Sequence, residues 1–388
     1  MPHTLLLSKL AEIRTPAYVA NAHQIKNNLS GLENIRKESG LEILYAIKAC
    51  PFYNLFSLMS DYLDGSTASG LYEARLGSQY FGKQVHVFCP AYTNTEIQEL
   101  IKIKPIHVYF NSAAQLQLYA PIIKAAHPDN KVGLRVNPAL SSTRHAQYDP
   151  CRRGSHLGVP KEQLDNINWD LVDVLHVHAL CENLAEDSAR LINHVAINFA
   201  PWLARVSQVN FGGGHFITHA DYNAQILVDA VINFRKKFPH IQPIIEPGAA
   251  MVLNAGYLVT TILEIVENDG IKTAILDASA NSHVPDIIKA GVRLRIVGAD
   301  DAGPHQYTFS GRTCMACDIW GEYSFSKPLE VGMKLAFIDG LQYSLGEANW
   351  FNGHPRPDLG IIKADNSYEI IRQFTYEDFV SNVGKYPY

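Results

Sequence analysis

Eight short, near-continuously apolar runs, separated by longer amphipathic stretches, divide roughly the first 255 residues of this chain. They fall at residues 43–47, 62–67, 85–89, 106–110, 132–136, 174–178, 208–211 and 243–246. Strands buried on both faces read this way, because helices cover the sheet on either side. Helical spacing appears between them, at 55–62, 71–81, 95–103, 113–126, 185–205 and 222–238. Eight such units predict a TIM-like (β/α)8 barrel. A doubly wound open sheet is the competing architecture, and it lacks the expected GxGxxG after the first strand.

The texture changes after residue 255. Short strand-like runs at 257–264, 273–277, 294–297, 306–310, 335–338 and 361–364 are separated by turns and polar loops, and helical periodicity returns only at 376–380. This predicts a C-terminal antiparallel β domain of sandwich or barrel type. Residues 15–20 are also strand-like and can pair into that domain, which would make it discontinuous. The expected division is a barrel over 22–255 and a β domain formed by 1–21 and 256–388.

Composition narrows the function classes. With 47% hydrophobic and 18% charged residues, the chain can bury a sizeable core and is not disordered. A formal net charge of −5, with scattered basic residues, gives no footprint for nucleic acid. No stretch approaches the length of a transmembrane helix, and the first fifteen residues carry no basic leader or cleavage site, so no membrane partner is expected. Six irregularly spaced cysteines then point to a reducing cytoplasm. Cys314 and Cys317 form a lone CxxC without a second pair, so no metal site is expected.

In a barrel the functional groups sit just past the carboxyl ends of the strands. Those ends here carry Lys48, Ser69-Gly70, Asn111, Arg135, His178 with Cys181-Glu182-Asn183, Gly212-Gly213-Gly214-His215 and Glu246-Pro247-Gly248. A lysine closing a strand ordinarily snorkels into solvent. If it is desolvated instead, it loses its proton more easily and can condense with an aldehyde. One glycine would make a tight turn after Phe211, whereas three in a row let backbone N–H groups approach an oxyanion such as a phosphate. Glu246 closes an apolar run and needs a partner there. Arg135 inside a barrel must meet an anion or a carboxylate. Of His176 and His178, at most one is expected to enter the lumen. Together the lysine, phosphate cradle, carboxylate and histidine suit pyridoxal 5′-phosphate, whose ring is an electron sink when its nitrogen is protonated.

Tyr45-Ala46-Ile47-Lys48, His178, the glycine triplet, Glu246-Pro247-Gly248, Cys314 with Asp318, and Tyr343 lie in an order that resembles the group III pyridoxal-phosphate decarboxylases. That group includes ornithine and diaminopimelate decarboxylases, and its fold is similar to alanine racemase. Cys181-Glu182-Asn183, Asn349-Trp350-Phe351-Asn352-Gly353, and Ala249 after Glu-Pro-Gly resemble the carboxynorspermidine/carboxyspermidine decarboxylase branch. Ala249 replaces an arginine that contacts phosphate in relatives. Met315 replaces an acidic residue that in relatives helps recognise shorter substrates.

The resemblance implies that Lys48 holds the cofactor, His178 stacks on its ring and Glu246 keeps the ring nitrogen protonated. Gly212, Gly213, Gly214 and Tyr343 bind the phosphate, and Arg135 lies near the ring hydroxyl. Cys314 is the implied proton donor, contributed with Tyr343 by the β domain at a homodimer interface. The substrate implied is an α-amino acid with a cationic polyamine tail, met by Glu182, His283, Asp286 or Asp318. Alternatives are decarboxylation of diaminopimelate or ornithine, an amino-acid racemase, and a non-catalytic regulatory relative. The last usually loses the lysine or cysteine that this chain keeps.

Overall fold

The structure, a computed structural model, describes residues 3–142 and 146–384. The outermost residues of the expected β domain, 1–2 and 385–388, lie outside the described residues. The chain divides into two compact units, Lys26–Met251 and Met1–Ile25 with Val252–Tyr388.

The first unit is a closed barrel of eight parallel strands. They are Glu42–Ala46, Gly65–Ala68, Gln84–Phe88, Ile106–Phe110, Lys131–Asn137, Val174–His176, Gln208–Asn210 and Gln242–Ile245. The ring closes where Ile244 of the eighth strand registers with Glu42 of the first. Glycine is required where strands crowd: a β-carbon on Gly65 would lie 2.4 Å from the Gln84 carbonyl oxygen.

Local chemistry sets the helix ends. Thr93 and Glu96 form a reciprocal capping box at the start of Asn94–Leu100. The helix expected over 185–205 is two, Ala185–Asn198 and Ala200–Leu203, because Pro201 supplies no N–H to continue the first and instead fits an opening turn. Residues 62–64 are a turn, not strand. Asp64 accepts the Ile43 N–H at 2.9 Å and binds the Arg36 guanidinium, tying that turn to the first strand.

The second unit is built on the thirteen-residue strand Gly256–Asn268. Its first half pairs antiparallel with Ala17–Asn21 and with Lys334–Ile338, and its second half with Ile271–Leu276. The sheet is mixed rather than purely antiparallel. Ile271–Leu276 runs parallel to His305–Ser310, and Ala17–Asn21 runs parallel to Asp358–Ile362. Ile319–Phe325 and Tyr368–Arg372, which were not anticipated, complete its edges. The strand expected at 294–297 is only a single bridge, Ile296 to Phe337. One core cluster here includes Leu6, Ile13, Val19, Tyr257, Val259 and Ile338.

Candidate active site

Strand ends bring the expected barrel residues to one rim. Lys48 stands in the turn Ile47–Ala49 after the first strand. The Tyr45 hydroxyl clamps that turn by donating to the Cys50 carbonyl at 2.8 Å. The Ala46 N–H donates to the Pro247 carbonyl at 3.2 Å, binding the lysine turn to Glu246-Pro247-Gly248. A side chain at position 248 would collide with Ala49, 2.7 Å away. The Lys48 side chain is open to solvent. Surrounding protein nevertheless lowers its proton affinity, chiefly by desolvation and then through Arg135, against the opposing pull of Glu246, Glu73 and Cys181.

Glu246 is buried and follows the eighth strand. Asn210 donates to its Oε1 at 2.7 Å. Burial raises its pKa, while Asn210, Thr67, Lys48 and Arg135 favour the charged form. Among the described residues, the basic side chain within 4 Å of it is His176, whose Nε2 lies 3.8 Å from Oε2. Desolvation and the charges of Arg135 and Lys48 push the His176 pKa far down, so this ring is neutral. Among the described residues, Glu246 therefore has no cationic partner at salt-bridge distance. A protonated pyridine nitrogen is the kind of group such a carboxylate lacks.

The glycine triplet is only partly available. The Gly212 N–H donates to Asn210 Oδ1 at 2.8 Å, and the Gly213 N–H donates to His178 Nδ1 at 2.9 Å. Gly212 and Gly214 adopt φ +72° and +86°. A β-carbon on Gly213 would sit 2.7 Å from the Glu246 carbonyl oxygen, and one on Gly214 would sit 2.1 Å from that of Leu180. The loop is thus shaped for close backbone approach, and glycine is the residue that fits.

As an acceptor from Gly213, His178 is neutral at Nδ1, and burial, Lys48 and Arg135 depress its pKa. Both His176 and His178 turn inward, against expectation. Residues two apart share a strand face, and the strand ends at His176, so the two do not alternate. Arg135 is buried, with its guanidinium 4.5 Å above the Phe88 ring. Burial lowers its pKa to about 10.

The Cys181-Glu182-Asn183 segment has a structural logic. The Asn183 N–H donates to the Gly214 carbonyl at 2.8 Å, and its side chain accepts from the Cys181 N–H and donates to Asp187. Glu182 is exposed, with φ +53°.

In the β unit, Cys314 is exposed and its N–H donates to Asn352 Oδ1 at 3.0 Å. Tyr343 has φ +59° and precedes the short helix Ser344–Glu347. A bulky residue rarely adopts that conformation, and such strain concentrates at functional positions. Asp286 opens the helix Asp286–Ala290.

Two of the expected substrate contacts have structural roles. Asp318, 1% exposed, accepts from the Ala280 N–H at 2.8 Å, the Thr313 N–H at 3.2 Å and the Thr313 hydroxyl at 2.6 Å. It braces the loop that carries Cys314. His283, 0% exposed, accepts from the Ser279 N–H at 3.1 Å, and the Tyr18 hydroxyl donates to its carbonyl. Asp318→Ala leaves three donors unsatisfied and is expected to cost the β unit about 2–4 kcal/mol, read by urea denaturation. A loss below about 0.5 kcal/mol would contradict the bracing role.

Buried histidines set a pH limit. Burial pushes the pKa values of His107 and His215 down from 6.5 to about 3 and about 4. Each takes up a proton near pH 6.5 when unfolded but resists it when folded, so stability falls as pH drops below 6.5. These two alone are expected to remove roughly 3 kcal/mol of barrel stability per pH unit between about pH 6 and pH 4.5. A urea midpoint unchanged from pH 7 to pH 5 would contradict this.

Sequence reading missed Thr67, Glu73, Tyr109 and Asn210. Glu73 accepts from the Ser69 N–H at 2.7 Å and lies near enough to Lys48 for each to shift the other's pKa. For Thr67, Tyr109 and Asn210 the available signal was a polar group inside a buried run, such as Asn210 between Val209 and Phe211.

A family model described as pyridoxal-dependent decarboxylase, C-terminal sheet domain, matches residues 17–340. The chain belongs to the pyridoxal-dependent decarboxylases, and its cofactor is pyridoxal 5′-phosphate. Within that family it is 32% identical to a carboxynorspermidine/carboxyspermidine decarboxylase from Campylobacter jejuni, over 95% of this chain and 98% of that protein. It is 33% identical to one so named from Herminiimonas arsenicoxydans, over 96% and 100%. A carboxyaminopropylagmatine decarboxylase from Synechocystis is 31% identical, over 97% of each chain. The crystal structure of Campylobacter jejuni carboxynorspermidine decarboxylase complexed with norspermidine superposes with a TM-score of 0.87, at 31% identity, over 95% of this chain and 100% of that one. Among the described residues no helix is long and apolar enough to cross a membrane.

Proposed function

We propose that this chain decarboxylates carboxynorspermidine or carboxyspermidine to the corresponding triamine, as a cytoplasmic homodimer. The observation that carries this reading is near-full-length identity of 32% and 33% to two decarboxylases of that name. The Synechocystis relative favours a second substrate, carboxyaminopropylagmatine, with the same chemistry at the α-carbon.

When bound, pyridoxal 5′-phosphate supplies an electron sink for the pair left on the substrate's α-carbon as carbon dioxide departs. In this reading Lys48 holds the cofactor through its Nζ, whose lowered proton affinity keeps a nucleophilic fraction available. Glu246 holds a proton on the ring nitrogen, with Asn210 and Thr67 stabilising its charge. His178, neutral and fixed by the Gly213 N–H, offers a flat face for the ring. Gly212, Gly213 and Gly214, with Tyr343, receive the phosphate, and Arg135 faces the ring hydroxyl. The Gly212 and Gly213 N–H groups already serve Asn210 and His178, so the triplet's contribution is close backbone approach and the Gly214 N–H. Cys314 returns a proton to the α-carbon from the β domain, across the dimer interface. Glu182 and Asp286 meet the cationic tail.

The test is carbon dioxide release from a panel of carboxynorspermidine, carboxyspermidine, carboxyaminopropylagmatine, diaminopimelate and ornithine. The expected result is triamine formation with kcat/KM highest for one of the first two. Highest turnover of carboxyaminopropylagmatine selects the second reading. Preference for diaminopimelate or ornithine, or stereochemical inversion without carbon dioxide release, contradicts both.

A further inference from the structure

A line of polar side chains crosses the barrel lumen beneath Glu246. Asn210 Nδ2 donates to Glu246 Oε1 at 2.7 Å and to the Tyr109 hydroxyl oxygen at 3.2 Å. The Tyr109 hydroxyl lies 2.5 Å from His86 Nδ1, and His86 Nε2 lies 3.3 Å from Gln84 Oε1. Gln84 Nε2 then donates to Glu42 Oε2 at 3.2 Å. Asn210 and His86 are fully buried. Glu42, Gln84, His86, Tyr109 and Asn210 come from four different strands and Glu246 follows a fifth, so the line is a product of the closed barrel and not of any local segment.

Its direction follows independently from each end. The Gly212 N–H can only donate, so it fixes Asn210 Oδ1 as acceptor and turns both amide hydrogens toward Glu246 and Tyr109. Tyr109 therefore accepts from Asn210 and must donate to His86. From the other end, the Glu42 carboxylate accepts, which fixes the Gln84 amide with its oxygen toward His86. His86 then carries its proton on Nε2 and accepts at Nδ1. Burial, His107 and His176 keep that ring neutral. Both routes give the same tautomer and the same orientation.

The lumen is shaped for this arrangement. A β-carbon at position 133 would sit 2.2 Å from the Tyr109 ring, so Gly133 makes its room. His176 covers the ring with centroids 5.0 Å apart. A polar chain so oriented delivers its last donor to the carboxylate and engages both Asn210 amide hydrogens and its oxygen.

We propose that Asn210, Tyr109 and His86 are positioning residues that hold Glu246 ionised and aimed at the cofactor's ring nitrogen, although Tyr109 and His86 touch no reacting atom. This rests on the proposed role of Glu246. A lumen that merely satisfied its own polar groups would have the same contacts but no selectivity for that nitrogen.

The test strips the full-length protein of cofactor and titrates it with pyridoxal 5′-phosphate and with the 1-deaza analogue, which has C–H in place of the ring nitrogen. Tyr109→Phe and Asn210→Ala are expected to raise Kd for pyridoxal 5′-phosphate by about tenfold, while Kd for the analogue changes by less than about twofold. Equal weakening of both ligands, or no weakening of either, overturns the relay. Glu246→Gln is the control for the underlying reading. If it too fails to discriminate the ligands, the assignment of Glu246 falls and the relay with it. If it alone discriminates, only the relay falls. Should either variant fail to fold, 15N NMR of the wild-type protein decides. His86 protonated on Nε2 and bare on Nδ1 supports the relay, and the opposite tautomer overturns it.

Discussion

Lys48→Ala is expected to lower the decarboxylation rate by at least about 10⁴-fold, because the nucleophile that anchors the cofactor is lost outright. Charge alone does not replace it. Lys48→Arg keeps a cation, but a guanidinium has a pKa above about 12 and does not yield a free amine, so it is expected to be as inactive as the alanine variant. Neither change should unfold the protein. The Lys48 side chain is solvent-accessible, and the turn is held by the Tyr45 hydroxyl and by the Ala46 N–H to Pro247. Stability within about 0.5 kcal/mol of wild type is expected. Single-turnover kinetics check the rate, and urea denaturation checks the fold. Activity within tenfold of wild type for Lys48→Ala would remove Lys48 from the chemistry.

Glu246→Gln is expected to lower kcat by about 10²–10⁴-fold, the equivalent of the 3–5 kcal/mol lost when one partner of a buried charge pair is removed. The change is nearly isosteric, so the loss reports charge and not shape. Burial already disfavours the Glu246 carboxylate, and its ionised form depends on Asn210, Thr67, Lys48 and Arg135. Glutamine at this position can accept from Asn210 but cannot hold a proton on the ring nitrogen. Substrate affinity should change less than kcat, since the lost interaction matters most as negative charge develops at the α-carbon. A variant that loses KM and keeps kcat would place Glu246 in substrate binding instead.

The barrel was legible in the sequence because its strands are buried on both faces and its helices keep their period. Strand ends alone made Lys48, Arg135, His178 and Glu246 candidates for one rim. Three features escaped for physical reasons. Residues 294–297 have strand composition but form one bridge, since pairing depends on neighbours that local pattern does not encode. The packing of Asp318 and His283 inside the β unit also escaped, since Asp318 accepts from the N–H of Ala280, 38 residues away, and the Tyr18 hydroxyl reaches the His283 carbonyl from the far end of the chain. Tyr109, His86 and Asn210 lay within apolar runs and looked like strand filler, and only closure of the ring brings them into one line. The glycine triplet allows close backbone approach, and two of its N–H groups serve Asn210 and His178, partners that the run of three glycines does not reveal.

Borohydride reduction of the cofactor-loaded protein, followed by peptide mass mapping, tests most directly where the cofactor is anchored. The expected result is a single pyridoxyl-phosphate adduct on the peptide containing Lys48. An adduct on any other lysine, or none on a protein that still releases carbon dioxide from carboxynorspermidine, would contradict the account.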